Sequence, residues 1–369
     1  MSRGELSPSG IPSPKARAQA LMAQLGLETP ILLAPMSGAC PPALSIAVAN
    51  AGGMGACGAL LMEPKAIAAW VADFRAGSQG PFQINLWIPE EDVHRDSEAE
   101  ARQREFLAQW GPAVTAEAGE GVLPDFPAQC AALLELKPTA VSSIMGLFPA
   151  DFVAELKARG ILWLATASTA AEARLAEAAG ADAVIAQGSE AGGHRGAFHE
   201  ADAESQQVGL FALLPQIVDA VNVPVIAAGG IGDGRGVAAA MLLGASAVVV
   251  GTGFLRSPEA GLHPAYANQI GLTEAHQTRL TRAYSGRAAR GISNAYVEAS
   301  AAGQREGATR PAAYPVQRGL TKALREAALK ASDTDRMQMW AGQAAKLART
   351  EPAGRIVRRL WQEALLLLA

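Results

Sequence analysis

Eight short runs of near-continuous apolar sequence, each followed by a helical stretch, constrain this chain more than any other feature. They are 30–36 (PILLAPM), 53–60 (GMGACGAL), 81–88 (PFQINLWI), 139–145 (TAVSSIM), 161–168 (ILWLATAS), 182–188 (DAVIAQG), 223–231 (VPVIAAGGI) and 245–254 (ASAVVVGTGF). Strands that are apolar on both faces belong to parallel sheets covered by helices. Eight such units predict an α/β fold, a TIM (β/α)8 barrel. An open doubly wound sheet is the competitor. It would place its glycine fingerprint at the first turn, whereas here glycines cluster after the late strands.

The chain has 369 residues, the length of a barrel with an appendage. We expect a flexible leader over 1–24, the barrel over 25–258 and a helical cap domain over 259–333. Residues 334–369 are expected to form C-terminal helices that pack back on the barrel. Within the cap, 259–285 reads as helices with little strand character. Residues 285–299 read as a connector running into a helix, and 307–319 as a loop. Further helices are expected near 319–331, 334–348 and 353–368. The stretch 89–110 is too charged for core and reads as an inserted surface helix.

Half of the residues are hydrophobic, ample for a large core, and the formal net charge of −4 argues against nucleic acid or an anionic membrane as partner. Cys40, Cys57 and Cys130 make neither a disulfide framework nor a metal-ligand spacing. The polar start has no apolar signal core, and the apolar stretches fall short of a membrane span. A cytoplasmic location is the expectation.

In such barrels the loops after the strands build the site. Here they carry AQGSEAGGHRG (186–196), AAGGIGDGRG (227–236) and VVGTGF (249–254). Gly229 and Gly230 leave backbone amides unobstructed, and Asp233 can cap a helix whose N-terminus favours an anion. Gly251 and Thr252 offer another amide and a hydroxyl. Two such segments at successive late strand ends favour a phosphate, which a mononucleotide cofactor supplies. Pro35 and Met36 end the first strand; Met36 lies beside a flat ring or fills core. Asn85 and Gln187 are polar within apolar strands and need partners, a heterocycle edge or a neighbouring backbone. His194, among glycines beside this site, is read as catalytic rather than as a loop cap. Glu190, Arg195 and His199 read as surface or supporting residues. His94, His263 and His276 read as solvated, and the thiols Cys40 and Cys57 as buried. Tyr296 and Trp340 either close the pocket or serve helix packing.

Seven segments in order, PILLAPMSGA, QINLW, AQGSEAGGHRG, PVIAAGGIGDGRG, VVVGTGF, SGRAARGISNAYVE and MQMWAGQAAKLAR, resemble the nitronate monooxygenases, formerly called 2-nitropropane dioxygenases, over about residues 25–350. The resemblance implies non-covalent FMN and no metal. It implies FMN contacts from Pro35, Met36, Asn85, Gln187, Gly192, Gly193, Gly229, Gly230, Gly251 and Thr252, with His194 as the base toward neutral nitroalkanes. It further implies oxidation of alkyl nitronates, propionate 3-nitronate among the candidates, by dioxygen to carbonyl compounds and nitrite. The route is one-electron transfer through a flavosemiquinone. A homodimer is left open. Two alternatives stand beside it. One is an FMN- and NAD(P)H-dependent enoyl-thioester reductase. The other is a non-catalytic barrel that binds a phosphorylated ligand. Chemistry like that of inosine-phosphate dehydrogenase calls for a loop cysteine after the phosphate-binding strands, but all three cysteines precede residue 131.

Overall fold

The computed structural model describes residues 12–90, 95–121 and 123–369. Eight parallel strands follow one another around a sheet: β1 (Ile31–Leu33), β2 (Gly55–Gly58), β3 (Phe82–Trp87), β4 (Ala140–Ile144), β5 (Leu162–Ala167), β6 (Ala183–Gln187), β8 (Val225–Ala228) and β9 (Ala247–Val250). Their order is β1-β9-β8-β6-β5-β4-β3-β2. A parallel bridge between Leu32 and Met54 joins the ends, with Leu33 N donating to Met54 O at 2.9 Å and Met54 N to Ile31 O at 3.1 Å. The sheet is therefore closed, and the architecture is the expected (β/α)8 barrel.

Alternation along each strand sends successive side chains to opposite faces. Ile31, Leu33, Val141, Val184, Val248 and Val250 join the surrounding helices in one core. Residues of the other parity, among them Leu32, Leu164, Ile185, Ile226 and Val249, fill a separate interior cluster. Continuing that parity toward the strand ends brings Asn85, Ser142, Thr166 and Gln187 inward. The barrel interior thus changes from apolar to polar as it rises toward the C-terminal mouth.

Four expectations are corrected. First, much of the leader is helical. Helix Pro14–Leu25 starts at Ser13, whose hydroxyl accepts from Ala16 N, and ends at Gly26 in the left-handed region (φ 69°). Its Leu21 and Leu25, with Leu27, join the interior cluster. Apolar residues at helical spacing were overshadowed by the Ser- and Pro-rich stretch before them. Second, the cap contains strands. β10 (Thr278–Thr281) and β11 (Ala289–Ile292) form an antiparallel sheet with β7 (Gly193–His194), ordered β10-β11-β7. Four-residue strands containing Thr and Arg give too short and too polar an alternation to register as strand.

Third, 334–348 is not a helix; it runs irregularly to a short 3-10 turn at Ala345–Leu347, and Trp340 bridges Gly291. Helix Ala353–Leu367 packs against helices Gly234–Leu242 and Pro42–Ala49 through Ile356, Val357, Leu360 and Ala364. Fourth, the charged insertion is only half surface. Asp96 caps helix Ser97–Ala108, and Gln103 and Leu107 are buried. Phe106 and Trp110 lie 6.1 and 5.6 Å from the Tyr296 ring. Charge dominated the reading, whereas one apolar face suffices to dock a helix. His94 lies outside the described residues.

Candidate active site

A cavity of about 500 Å³ opens at the C-terminal mouth. Pro35, Met36, Asn85, Gln187, Gly192, Gly193, His194, Gly229, Gly230, Gly251, Thr252 and Trp340 all line it. Tyr296 does not. It is 0% exposed, its hydroxyl donates to Ala283 O at 2.8 Å, and its ring lies 5.0 Å from that of Tyr284. Helix packing won there, because Asn294 caps helix Ala295–Arg305 and turns the ring of Tyr296 into the cap core. Ser142, Thr166, Trp87, Tyr314, Arg318 and Arg325 also line the cavity and were missed. Strand parity with Asn85 was the available signal for Ser142 and Trp87; nothing local pointed to Tyr314, Arg318 or Arg325.

The glycine segments form a close cradle. A Cβ on Gly192 would lie 2.5 Å from Gly342 N, and Gly230 has φ +70°, so neither position takes a side chain without strain. Thr252 Oγ1 accepts from Gly342 N at 3.0 Å. The expected helix N-terminus is already filled. Asp233 accepts from Arg235 N and Gly236 N at 3.0 and 3.3 Å, and Glu363 accepts from Gly234 N at 3.1 Å. Glu190, which lines the cavity, likewise caps helix Leu210–Val218 by accepting from Leu210 N at 2.8 and 2.9 Å. Amides of the glycine turns, rather than a helix end, remain for an anion.

The loop bearing His194 is fastened from beneath. Gln187 Nε2 donates to His194 O at 3.1 Å, and its Oε1 accepts from Gly196 N at 2.8 Å. The side chain of Gln187 is thus a clamp on the loop as well as part of the cavity wall. Arg195, read from sequence as a surface or supporting residue, is buried and supports the strand end, donating to Gly188 O at 2.8 Å and Gln187 O at 3.2 Å. His194 itself pairs through β7 with Ala289 of β11, so the cap sheet fixes its backbone.

The imidazole lies edge-on to Trp87 and Trp340, at 4.6 and 5.3 Å between centroids. Its Nε2 is 2.8 Å from Ser285 Oγ, and that hydroxyl donates to Arg287 O at 3.1 Å. A serine that spends its proton on a carbonyl must accept from the ring. This network assigns the imidazole proton to Nε2 and leaves the lone pair on Nδ1. Burial, then the Arg287 charge, then that of Arg318, hold His194 down to about 3, so the ring is neutral near neutral pH. Arg287 is itself buried, paired with Glu90 at 2.5 Å and donating to Ala197 O at 3.1 Å.

Two further groups give the wall its polarity. Among the described residues the Tyr314 hydroxyl is buried without a partner, its ring 5.5 Å from Trp87. Arg318 makes no ion pair among the described residues, and burial lowers it from its ordinary range. The other described histidines and the three cysteines do not line the cavity. His263 Nδ1 accepts from Ala265 N, while His199 and His276 are exposed. Cys40, Cys57 and Cys130 are buried, and burial raises all three thiols, Cys40 and Cys130 to about 12, which suits packing rather than nucleophilic attack. Among the described residues there is no group of three or more His, Cys, Asp or Glu placed to hold a metal. No described helix is long and apolar enough to cross a membrane.

The family model for nitronate monooxygenase matches residues 18–363. A nitronate monooxygenase of Paraburkholderia phytofirmans is 40% identical over 356 residues, spanning 94% of this chain and 94% of the relative. Among solved structures, nitroalkane oxidase from Streptomyces ansochromogenes superposes with a TM-score of 0.85 at 37% identity, covering 94% of this chain and 98% of that one. FabK from Thermotoga maritima is less similar, with a TM-score of 0.74 at 29% identity over 95% and 96% of the two chains.

Proposed function

The chain belongs to the nitronate monooxygenase family, and from that premise we propose that it oxidises alkyl nitronates, propionate 3-nitronate among them, with dioxygen to a carbonyl compound and nitrite, using FMN bound at the barrel mouth. The residues present fit that cofactor. Pro35 and Met36 offer an apolar surface to a flat ring, and the polar floor of Asn85, Ser142 and Thr166 meets a heterocycle edge. Gly192, Gly193, Gly229, Gly230, Gly251 and Thr252 would receive the phosphate end in a cradle that side chains would fill. When bound, FMN supplies the electron acceptor that the side chains lack.

The observation that carries the reading is an imidazole on the cavity wall whose Nε2 lies 2.8 Å from Ser285 Oγ, a hydroxyl that donates to Arg287 O. Nδ1 is then the atom that takes the α-proton of a neutral nitroalkane, leaving the nitronate anion. The resulting imidazolium stands near Arg287 and Arg318 and is disfavoured by both, which promotes later loss of the proton. The anion formed is favoured by Arg318, which lines the same cavity. Trp87, Tyr314 and Trp340 narrow the mouth and keep water from the anion. A preformed nitronate requires no base.

His194→Asn is therefore expected to abolish turnover of neutral nitroethane while retaining most oxidation of ethyl nitronate, read as nitrite release. Equal losses on both substrates would overturn the assignment of the base. Rapid reduction of the bound flavin by NADPH, with no oxidation of nitronate, would favour the enoyl-thioester reductase instead.

A further inference from the structure

A second hollow of about 610 Å³ lies beside the catalytic cavity, walled by Leu61, Val114, Ala118, Pro315, Gly319 and Ala323. Leu61 and Arg318 line both spaces. Leu61 follows β2 and is 37% exposed; Arg318 belongs to helix Val316–Leu320. Neither is held by an ion pair among the described residues. Leu61 and Arg318 therefore stand between the two spaces.

We propose that this groove is a tail subsite, which takes the apolar chain of an extended alkyl nitronate whose reacting carbon lies beside His194. The proposal rests on the nitronate reading above and adds the substrate's length and polarity. Space is the first argument. A cavity of about 500 Å³ is of the size that one drug-sized group fills. FMN and a nitronate head would have to share that space, so a longer chain needs room beyond it. Chemistry is the second. Leu61, Val114, Ala118, Leu123, Pro315 and Ala323 give the groove an apolar surface on which an alkyl chain can lie, with charged side chains among them. Charge is the third. Glu117, Glu120 and Glu326 outnumber Lys322 along this groove, which disfavours a carboxylate at the far end of the tail and favours a neutral one. Arg318, at the junction, is placed to hold the anionic head while the chain passes Leu61.

The test measures kcat/KM of the holoenzyme on nitronates of nitroethane, 1-nitrobutane, 1-nitrohexane and 1-nitrooctane. Burial of each methylene predicts a rise of roughly fourfold per carbon once the chain reaches the groove. Ala323→Phe and Val114→Phe, which both fill the groove, are expected to flatten that rise. Their rates with ethyl nitronate should stay within about twofold of the parent enzyme. Binding of neutral 1-nitrooctane without oxygen, followed by tryptophan fluorescence, should weaken in the same variants. Oxidation of ethyl nitronate with no dependence on chain length overturns the groove alone. So does an unchanged chain-length profile in both folded variants. Failure to oxidise any nitronate overturns the parent reading and the groove with it.

Discussion

Arg287→Met removes one of the two cations that hold His194 neutral and keeps an unbranched side chain in a site that is 1% exposed. His194 falls from 6.5 to about 3, a span of about 3.5 pH units (6.5 − 3), with burial the largest cause, Arg287 next and Arg318 third. The share of Arg287 is therefore below half the span, and its loss should lift the His194 midpoint by roughly one pH unit, equivalent to ~1.4 kcal/mol. Glu90, left without its partner, acts in the same direction. The sign carries over to stability. A histidine whose folded midpoint lies below its unfolded one binds more protons when unfolded. Its stabilising contribution is full above about pH 6.5 and is lost as pH falls toward 3. The variant should thus lose less stability between pH 6.5 and 4 than the parent, on top of a constant penalty for the broken Glu90 and Ala197 contacts. Histidine-ring NMR, with His194 assigned through His194→Asn, reads the midpoint directly. Urea titrations across the same pH range read the slope. Arg287→Lys keeps the charge and should keep a midpoint near that of the parent. An unmoved His194 resonance in Arg287→Met would refute the electrostatic argument.

Two further outcomes follow from packing. Gly230→Val forces a β-branched residue into φ +70° with its Cβ 3.3 Å from Glu190 Cβ. The purified variant should retain much less flavin, read from its visible absorbance, and full retention would remove Gly230 from the cofactor cradle. Leu21→Ala opens the base of the barrel interior, where Leu21 is buried against Leu25 and its neighbours. A loss of about 2–5 kcal/mol in denaturant unfolding is expected, and a change below about 0.5 kcal/mol would mean that helix Pro14–Leu25 does not seal the interior.

Most of the barrel and the cavity lining were legible because they rest on local patterns. Apolar runs such as AVVV and VIAA have only one economical use, burial on both faces, and glycines at strand ends mark close approach wherever they occur. His194, Gly229, Gly230, Gly251 and Thr252 are visible in that way. Ser142 and Thr166 were not singled out, although their strand parity places them beside Asn85. Arg318 and Tyr314 gave no local sign at all. Their segment reads as loop, and their position over the cavity comes from the packing of the cap.

The order of strands, the glycine-marked ends and the histidine among them were written in the chain, because repeating patterns of polarity and backbone freedom act over a few residues. Only the folded molecule decided what surrounds that histidine. Ser285 and Arg287 are about ninety residues away in sequence, and they act on the ring through hydrogen bonding and charge, which depend on distance in space. The same holds for Tyr296. Its place in the cap core rather than the cavity follows from helix docking against Phe106 and Trp110, a choice between two apolar environments that no short stretch of sequence can make.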